Sequence, residues 1–205
     1  MKRFFTLLSA LLAAAAALAQ TPEEIVTRME EAMSKHEKEG IVMTVDVKVP
    51  VVGTMTTTTW TLGDKMRLET ETMGIKAITW SDGKTDWTYV SKKNEVTIEK
   101  TKGPSSDAGD VEMFTGITDD YDVTLSKETD KAWYLTCKKS KTNKDKDAPK
   151  NIDLVVSKAN YYPVSLSTKV SGISLTMRGV SFGVTDKQVT FNAADFPGVT
   201  VVDKR

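Results

Sequence analysis

The sequence of residues 79–89, TWSDGKTDWTY, predicts a β-hairpin. Asp82-Gly83 lies between two short runs of β-branched and aromatic residues, and Gly adopts the positive φ of a tight turn without a Cβ clash. Trp87 and Tyr89 are two residues apart and therefore share one face of the predicted sheet. We expect something apolar to cover that face, although the sequence contains few helical segments that could do so.

The first residues have the pattern of a cleavable export signal. Lys2 and Arg3 precede an apolar run over residues 4–17, and Ala17-Leu18-Ala19 is a small-x-small cleavage site. A membrane-spanning helix is the alternative, but the run is shorter than the roughly 20 residues that a span needs. We therefore predict a signal peptide at residues 1–19, one mature domain at residues 20–205, and a periplasmic location.

The charge balance excludes some partners. The chain of 205 residues has 28 basic and 28 acidic side chains, and loss of Lys2 and Arg3 leaves 26 against 28, a net charge of −2. This gives no electrostatic argument for nucleic acid or for an anionic bilayer surface. Cys137 is the one cysteine, so no intramolecular disulfide can form, and we interpret it as a small core residue.

One amphipathic helix is predicted after the cleavage site. Thr21 and Glu24 form a capping box around Pro22, and Gly40 is the predicted end of the helix. Apolar residues at helical spacing form a single stripe: Ile25, Val26, Met29 and Met33, with His36 at its end.

From residue 41 the apolar period changes to two, which is typical of β-strands. Successive short strands at hairpin spacing favour an antiparallel meander. The segment 107–117 interrupts the strands and fits a short helix or a lid. Later strands are predicted at residues 152–156, 162–170, 173–177, 180–184 and 189–191, and the charged stretch 140–150 is predicted to be a solvated hairpin tip.

Side chains for chemistry are few. His36 has no second histidine, thiol or suitably spaced carboxylate nearby in sequence, which favours a role at the edge of the core. Asp119, Asp120 and Asp122 lack the spacing of a calcium loop and are more typical of a turn. No nucleophile elbow, phosphate loop or zinc-protease motif is present, so we expect no enzyme, no cofactor and no metal.

The sequence predicts too little helix to cover one whole face of the sheet. A large antiparallel sheet has one face to cover, and one helix with a short lid covers only part of it. The rest must close as a barrel, dimerise or hold an apolar ligand. Methionine suits surfaces that accept variable apolar partners, although core filling is the simpler interpretation of any single methionine. The predicted fold class is mainly β (α+β): an unclosed antiparallel β-barrel, formed by a curved single sheet, with an N-terminal helix and a short mid-chain helical lid over an apolar cavity.

Several short segments in this order resemble the periplasmic outer-membrane lipoprotein carrier family, LolA, and its wider superfamily. They are Ser81-Asp82-Gly83-Lys84-Thr85 with Trp87 and Tyr89, Gly63-Asp64-Lys65-Met66-Arg67, Phe114-Thr115-Gly116 before Tyr121-Asp122, Tyr162-Pro163, and Phe196-Pro197-Gly198-Val199-Thr200-Val201. The resemblance implies a carrier that takes acylated lipoproteins from an inner-membrane ABC-type release complex to an outer-membrane acceptor, without a cofactor. We expect it to act as a monomer.

On this hypothesis, acyl chains are buried between the concave sheet face and the helices. The predicted ligand-binding residues are Met43, Val45, Val47, Met66, Leu68, Trp87 and Tyr89 from the sheet, with Met113, Phe114 and Ile117 from the lid. Ile25, Met29 and Met33 are the predicted helix cover. The alternative is a secreted LolA-like sensor or interaction domain whose concave face is an ordinary filled core. The face assignment depends on strand register, because a slip of one residue exchanges the two sides.

Overall fold

The structure is a computed structural model that describes residues 20–51, 53–101 and 114–205. Three α-helices are found in this part of the chain: α1 (Pro22–Ser34), α2 (Ile117–Asp120) and α3 (Asp186–Val189). Short 3-10 turns lie at Glu37–Glu39 and Ala193–Asp195. The strands are β1 (Ile41–Val49), β2 (Gly53–Leu62), β3 (Lys65–Thr72), β4 (Ile75–Ser81), β5 (Thr85–Val90), β6 (Glu95–Lys100), β7 (Tyr121–Glu128), β8 (Ala132–Lys139), β9 (Asn151–Ser157), β10 (Pro163–Val170), β11 (Ile173–Phe182) and β12 (Thr200–Asp203).

All twelve strands belong to one sheet with the order β12-β6-β5-β4-β3-β2-β1-β11-β10-β9-β8-β7. Neighbours are antiparallel, except that β12 runs parallel to β6. The central pair β1–β11 joins two meanders, since Val45 pairs with Met177. The terminal strands β12 and β7 are not neighbours, so the sheet is open. The predicted fold class, mainly β with a single unclosed curved sheet, is confirmed.

The hairpin at residues 79–89 forms as predicted. Asp82 Oδ1 accepts hydrogen bonds from the backbone N–H groups of Lys84 and Thr85, at 2.9 and 2.7 Å, and Gly83 has φ +82°. Asp86 Oδ1 accepts from the hydroxyls of Ser81 (2.6 Å) and Thr101 (2.7 Å). These bonds fix the ends of β4, β5 and β6 to one another.

Helix α1 begins with the predicted capping box. Thr21 Oγ1 accepts from the N–H of Glu24 at 3.2 Å, and Glu24 Oε2 accepts from the N–H of Thr21 at 3.1 Å. The α-helix ends at Ser34, earlier than predicted, and the 3-10 turn continues the chain to Gly40. Gly40 has φ +70°, and a Cβ there would lie 2.5 Å from the carbonyl oxygen of Thr61. Only glycine therefore fits where the chain enters β1.

Two later predictions of strands are wrong. The sequence predicts separate strands at residues 173–177 and 180–184, but β11 is continuous through Phe182, and its pairing with β1 shifts between Val42 and Thr44. The irregularity lies opposite Gly179, which has φ +68°. The predicted strand 189–191 does not form, because α3 ends at Val189 and residues 190–191 are irregular. Helix α3 has its own capping box between Thr185 and Gln188.

The face of the sheet that α1 covers is here called the inner face. Helix α1 buries Ile25, Val26, Met29 and Met33 against it. Buried residues of β1, β7, β8, β9 and β11 complete this core: Ile41, Met43, Tyr121, Val123, Trp133, Leu135, Cys137, Ile152, Leu154, Val156 and Met177. The core therefore occupies one half of the inner face.

The opposite, outer face carries a second apolar cluster on β4–β6. Ile78, Trp80 and Val96 are buried there, together with Val189 of α3. Phe191 and Phe196, in the segment after α3, contact the ring of Trp80 with centroids 5.4 and 5.6 Å away. The segment 186–199 thus covers the outer face of β4–β6.

Candidate ligand-binding surface on the inner face

Cross-strand register shows which side chains share the inner face. Met43 pairs with Thr59, Thr59 with Leu68, and Leu68 with Thr79. Directly paired residues point to the same side of a sheet, so all four belong to the inner face. By the same argument, the pair Val45 and Thr57 and the pair Val47 and Met55 also belong to the inner face.

The structure brings most of the predicted site residues to the inner face. Met43 is fully buried in the core, Val45 packs against the core, and Val47 and Leu68 are half-buried. Met66 is also on this side, since it pairs with Thr61, which pairs with Ile41. Ile25, Met29 and Met33 are fully buried beneath α1, in the position predicted for the helix cover. Contact of these residues with a ligand stays a prediction.

The predicted placement of Trp87 and Tyr89 beside them is wrong. Trp87 pairs with Trp80, and Trp80 with Arg67, whereas Met66 and Leu68 are the inner residues of β3. Trp87 stacks on Phe191 (5.9 Å) and Tyr89 contacts Phe196 (4.7 Å), so the chain itself covers both rings on the outer face. The error arises because four connections separate Met43 from Trp87. The length of each connection decides which residues of the next strand point to the inner face.

The half of the inner face on β2–β6 is rich in threonine. Seven of the residues that point inward there are threonines, here called the threonine floor: Thr57, Thr59, Thr61, Thr70, Thr79, Thr88 and Thr97. Hydroxyls pair across strands, at 2.9 Å between Thr57 and Thr70 and 3.2 Å between Thr79 and Thr88. A threonine run is visible in the sequence, but the inward members can be identified only from the register.

Apolar side chains border the threonine floor on the side of the core. Val47 pairs with Met55 on one side and with Leu175 on the other. Val47 and Leu175 are half-buried, and Met55 is exposed. Together with Val45 they form an apolar strip that leads from the buried Met43 and Met177 towards the end of the sheet where β1 meets β2. Leu175 and Met177 are not among the predicted site residues, because the sequence alone does not give the pairing partner of their strand.

The end of the mid-chain segment is fixed to α1. Phe114 is fully buried in the core and Ile117 nearly so, while residues 107–113 of the predicted lid, with Met113, lie outside the described residues. The N–H of Ile117 donates a hydrogen bond to Glu30 Oε1 at 3.1 Å. Burial raises the pKa of the Glu30 carboxyl; the hydrogen bond from Ile117 opposes this effect, and the charge of Asp119 adds to it. Glu30 therefore connects the helix cover to the carboxyl-terminal end of the predicted lid.

Cys137 and His36, the two side chains that could take part in chemistry, have surroundings that indicate a structural role. Cys137 is a free, buried thiol, and burial raises its pKa to about 11, with a smaller contribution from the charge of Asp153. A thiol with that pKa stays protonated and is a poor nucleophile at neutral pH. His36 Nε2 lies 2.6 Å from the hydroxyl of Tyr162, and its ring stacks on Phe182 at 4.3 Å. Among the described residues, no group of three or more His, Cys, Asp and Glu side chains is arranged to hold a metal.

A polar groove of about 580 Å³ crosses strands β9–β11. Asp153, Ser167 and Thr176 line it, and their pairing with each other and with Asp46 assigns them to the outer face. Lys150 and Lys169 also line this groove, at the end of the sheet where β10 turns into β11.

Within residues 20–51, 53–101 and 114–205, no helix has the length and apolar character that a membrane crossing requires.

Comparisons with known proteins give structural neighbours. No protein-family model matches the chain, and no curated protein matches it. LprF from Mycobacterium bovis is similar with a TM-score of 0.49 and 10% identity, covering 81% of this chain and 96% of that chain. An uncharacterized conserved protein from Thermus thermophilus has a TM-score of 0.46 and 17% identity, with 89% and 98% covered.

A LolA superfamily protein from Nitrosomonas europaea is also similar, with a TM-score of 0.34 and 12% identity, covering 84% of this chain and 99% of that chain. This neighbour is described as a member of the superfamily that the short sequence segments resemble.

Proposed function

We propose that this protein is a periplasmic carrier that binds the acyl chains of lipoproteins, or a related lipid-like ligand, on the inner face of its open sheet. It would be exported by the signal peptide at residues 1–19, fold as one domain over residues 20–205, and move its cargo from the inner to the outer membrane. An inner-membrane ABC-type release complex and an outer-membrane acceptor would be its partners.

The observation that supports this proposal is the division of the inner face. Helix α1 packs on the half formed by β1 and β7–β11, and the core that it covers includes contacts with Val45 of the apolar strip. Away from this core, the floor threonines other than the buried Thr59 are half-buried, and Val47, Leu175 and Met55 are half-buried or exposed. An acyl chain on the strip would bury apolar surface at about 0.8 kcal/mol per methylene, on the order of 10 kcal/mol for a chain of ordinary length.

The threonine floor suits reversible binding. A hydroxyl that loses water without another partner is costly to bury, by about 1–3 kcal/mol. The pairs Thr57–Thr70 and Thr79–Thr88 keep a hydrogen bond when water leaves, and their methyl groups can then contact an acyl chain. The four half-buried threonines of these pairs can be hydrated when the surface is empty and covered when it is loaded, which a carrier needs. Thr59 is buried in either state (2% exposed), and the hydroxyl of Thr61 is buried without a hydrogen-bond partner among the described residues.

Fluorescent fatty acid binding to delipidated protein tests the proposal. We expect saturable binding that Thr57→Asp weakens by at least about tenfold, because the new carboxylate would lie on the floor beneath the acyl chain. Thr54→Asp is the matched control: Thr54 is an exposed residue of the same strand, and it pairs with Lys48 on the outer face. Equal binding by both variants, or no saturable binding by the parent protein, would refute the carrier.

The second candidate is an interaction or sensor domain with a filled core. It is favoured by the packing under α1, where Phe114, Met29, Met33, Met43, Leu135 and Leu154 are all fully buried. Mass spectrometry of species that co-purify from native periplasm separates the two functions. Acylated proteins or lipids support the carrier, and a stoichiometric protein partner without lipid supports the interaction domain.

A further inference from the structure

Three neighbouring hairpins at one end of the sheet carry exposed apolar side chains. They are the connections β1–β2, β3–β4 and β10–β11, here called the rim hairpins, and in the strand order they lie side by side. With strands about 4.8 Å apart, the three tips span roughly 20 Å. This is the end of the sheet to which the apolar strip leads.

The tips of two rim hairpins are the most exposed apolar positions described, and the tip of the third, β10–β11, is Ser171-Gly172. Val51 is fully exposed (108%) and Met73 nearly so (88%), and Met55 and Val170 at the bases of the hairpins are also exposed. Connections at the opposite end of the sheet have polar tips instead, such as Gly63-Asp64, Asp82-Gly83 and Asp130-Lys131. The two almost fully exposed apolar tips among the described residues, Val51 and Met73, are therefore both at the rim.

The backbone at both apolar tips has a conformation that other residue types adopt more easily. Val51 has φ +70° and Met73 has φ +51°, in the left-handed region that Gly, Asn and Asp adopt most easily. A β-branched residue at such a φ is a poor choice for turn formation alone. Apolar side chains therefore occupy positions where the backbone conformation favours Gly, Asn or Asp, as expected at a functional surface.

Positive charge is concentrated at the same end. The connections there (residues 50–52, 73–74, 91–94, 140–150 and 171–172) have six lysines and two acidic residues: Lys92, Lys93, Lys141, Lys144, Lys146 and Lys150, with Asp145 and Asp147. Lys48, Lys76 and Lys169, with Glu71, lie in the strands beside these connections. Connections 63–64, 82–84, 129–131 and 158–162 at the other end are balanced, with three of each sign. The near-neutral total charge, which argued against an anionic surface, conceals this asymmetry.

We propose that the rim hairpins dock the protein onto the surface of an anionic phospholipid bilayer. Apolar tips that enter the interface, surrounded by lysines that attract anionic headgroups, are the combination that peripheral membrane proteins use. The polar groove lined by Lys150 and Lys169 opens beside the β10–β11 hairpin and has room for a headgroup. The inference extends the proposed function, since docking there would bring the apolar strip to the membrane, but it does not depend on acyl-chain binding.

Vesicle flotation of the protein without its signal peptide tests this docking. We expect the protein to float with phosphatidylcholine vesicles that contain about a third phosphatidylglycerol, less at high salt, and weakly with phosphatidylcholine alone. Val51→Asp and Met73→Asp should each lower the bound fraction about tenfold, because a carboxylate replaces an inserted apolar group. Both changes suit the left-handed backbone and should leave the fold intact.

The matched control is Asn160→Asp, which adds the same charge at an exposed turn of the opposite end. It should float like the parent protein, and Lys48→Gln with Lys169→Gln should reduce binding only to the anionic vesicles. No binding to anionic vesicles, or equal binding by all variants, overturns the proposal. A dimer that Met73→Asp dissociates, without vesicle binding, would assign the rim to a second copy and overturn it too. Fatty acid binding should survive Met73→Asp, so failure of docking and failure of the carrier are distinguishable.

Discussion

Phe191→Ala tests whether the chain itself covers Trp87 and Tyr89. The ring of Phe191 lies between two tryptophans, 5.4 Å from Trp80 and 5.9 Å from Trp87, and 6.0 Å from Phe196. Truncation of a fully buried phenylalanine costs about 3–5 kcal/mol. Phe191 is half-buried, so we expect a loss of about 2 kcal/mol, part of it from the aromatic pairs at roughly 0.5–1.5 kcal/mol each.

Urea denaturation and thermal melting measure that loss. For a domain of this size, 2 kcal/mol corresponds to a fall in Tm of about 4–8 °C. The tryptophan emission of the folded state should also shift to longer wavelength, because Trp80 and Trp87 gain contact with water. Val201→Ala is the control, since Val201 is an exposed residue on the same face and its truncation should change stability by less than about 0.5 kcal/mol.

An unchanged Tm together with unchanged emission would refute the assignment of faces. The segment 186–199 would then not cover the outer face, and Trp87 and Tyr89 would be available to a ligand. A fall in Tm without a change in emission would mean that Phe191 stabilises the segment but does not shield the tryptophans. Either result would require a new account of the aromatic residues in the hairpin.

Two further changes test other parts of the structure. Burial raises the pKa of Glu30, so its proton is held more tightly in the folded state, and the stability that its protonation provides is lost as the pH rises above 4.5. Glu30→Gln should therefore lose less stability than the parent protein between about pH 4 and pH 7 in urea titrations, and an identical pH profile would contradict this. Val51→Asn should raise the Tm by about 2–4 °C, because Asn relieves a strain of roughly 1 kcal/mol at φ +70°, and a fall in Tm would show that Val51 makes stabilising contacts.

Local sequence signals predicted the local structure well. The Thr21–Glu24 capping box, the Asp82-Gly83 turn and the period-two strands from residue 41 are all present. Each depends on a few neighbouring residues, whose backbone hydrogen bonds and φ preferences act within one turn. The predicted strand at residues 189–191 is wrong because Val189 and Phe191 are apolar for another reason: they pack on the outer face of β4–β6 and do not alternate within a strand.

The candidate site was predicted only in part. Alternation places Met66 and Leu68 on one side of β3 and Trp87 with Tyr89 on one side of β5, but it does not relate the two strands. The register passes through two connections between them, and the pairing of Met66 with Ser81 and not Trp80 decides the outcome. The threonine floor and the rim hairpins depend in the same way on which strands are neighbours, which alternation within one strand cannot reveal.

The parallel pairing of β12 with β6 has a consequence for the order of folding. Thr200 donates its N–H to the carbonyl of Asn94, and Lys204 donates to Ile98, so the edge of β6 acquires its partner from the far end of the chain. Because synthesis begins at the amino terminus, β6 is complete long before β12 and until then has an unpaired edge that invites aggregation. A shortened carboxyl terminus would leave that edge of β6 unpaired permanently.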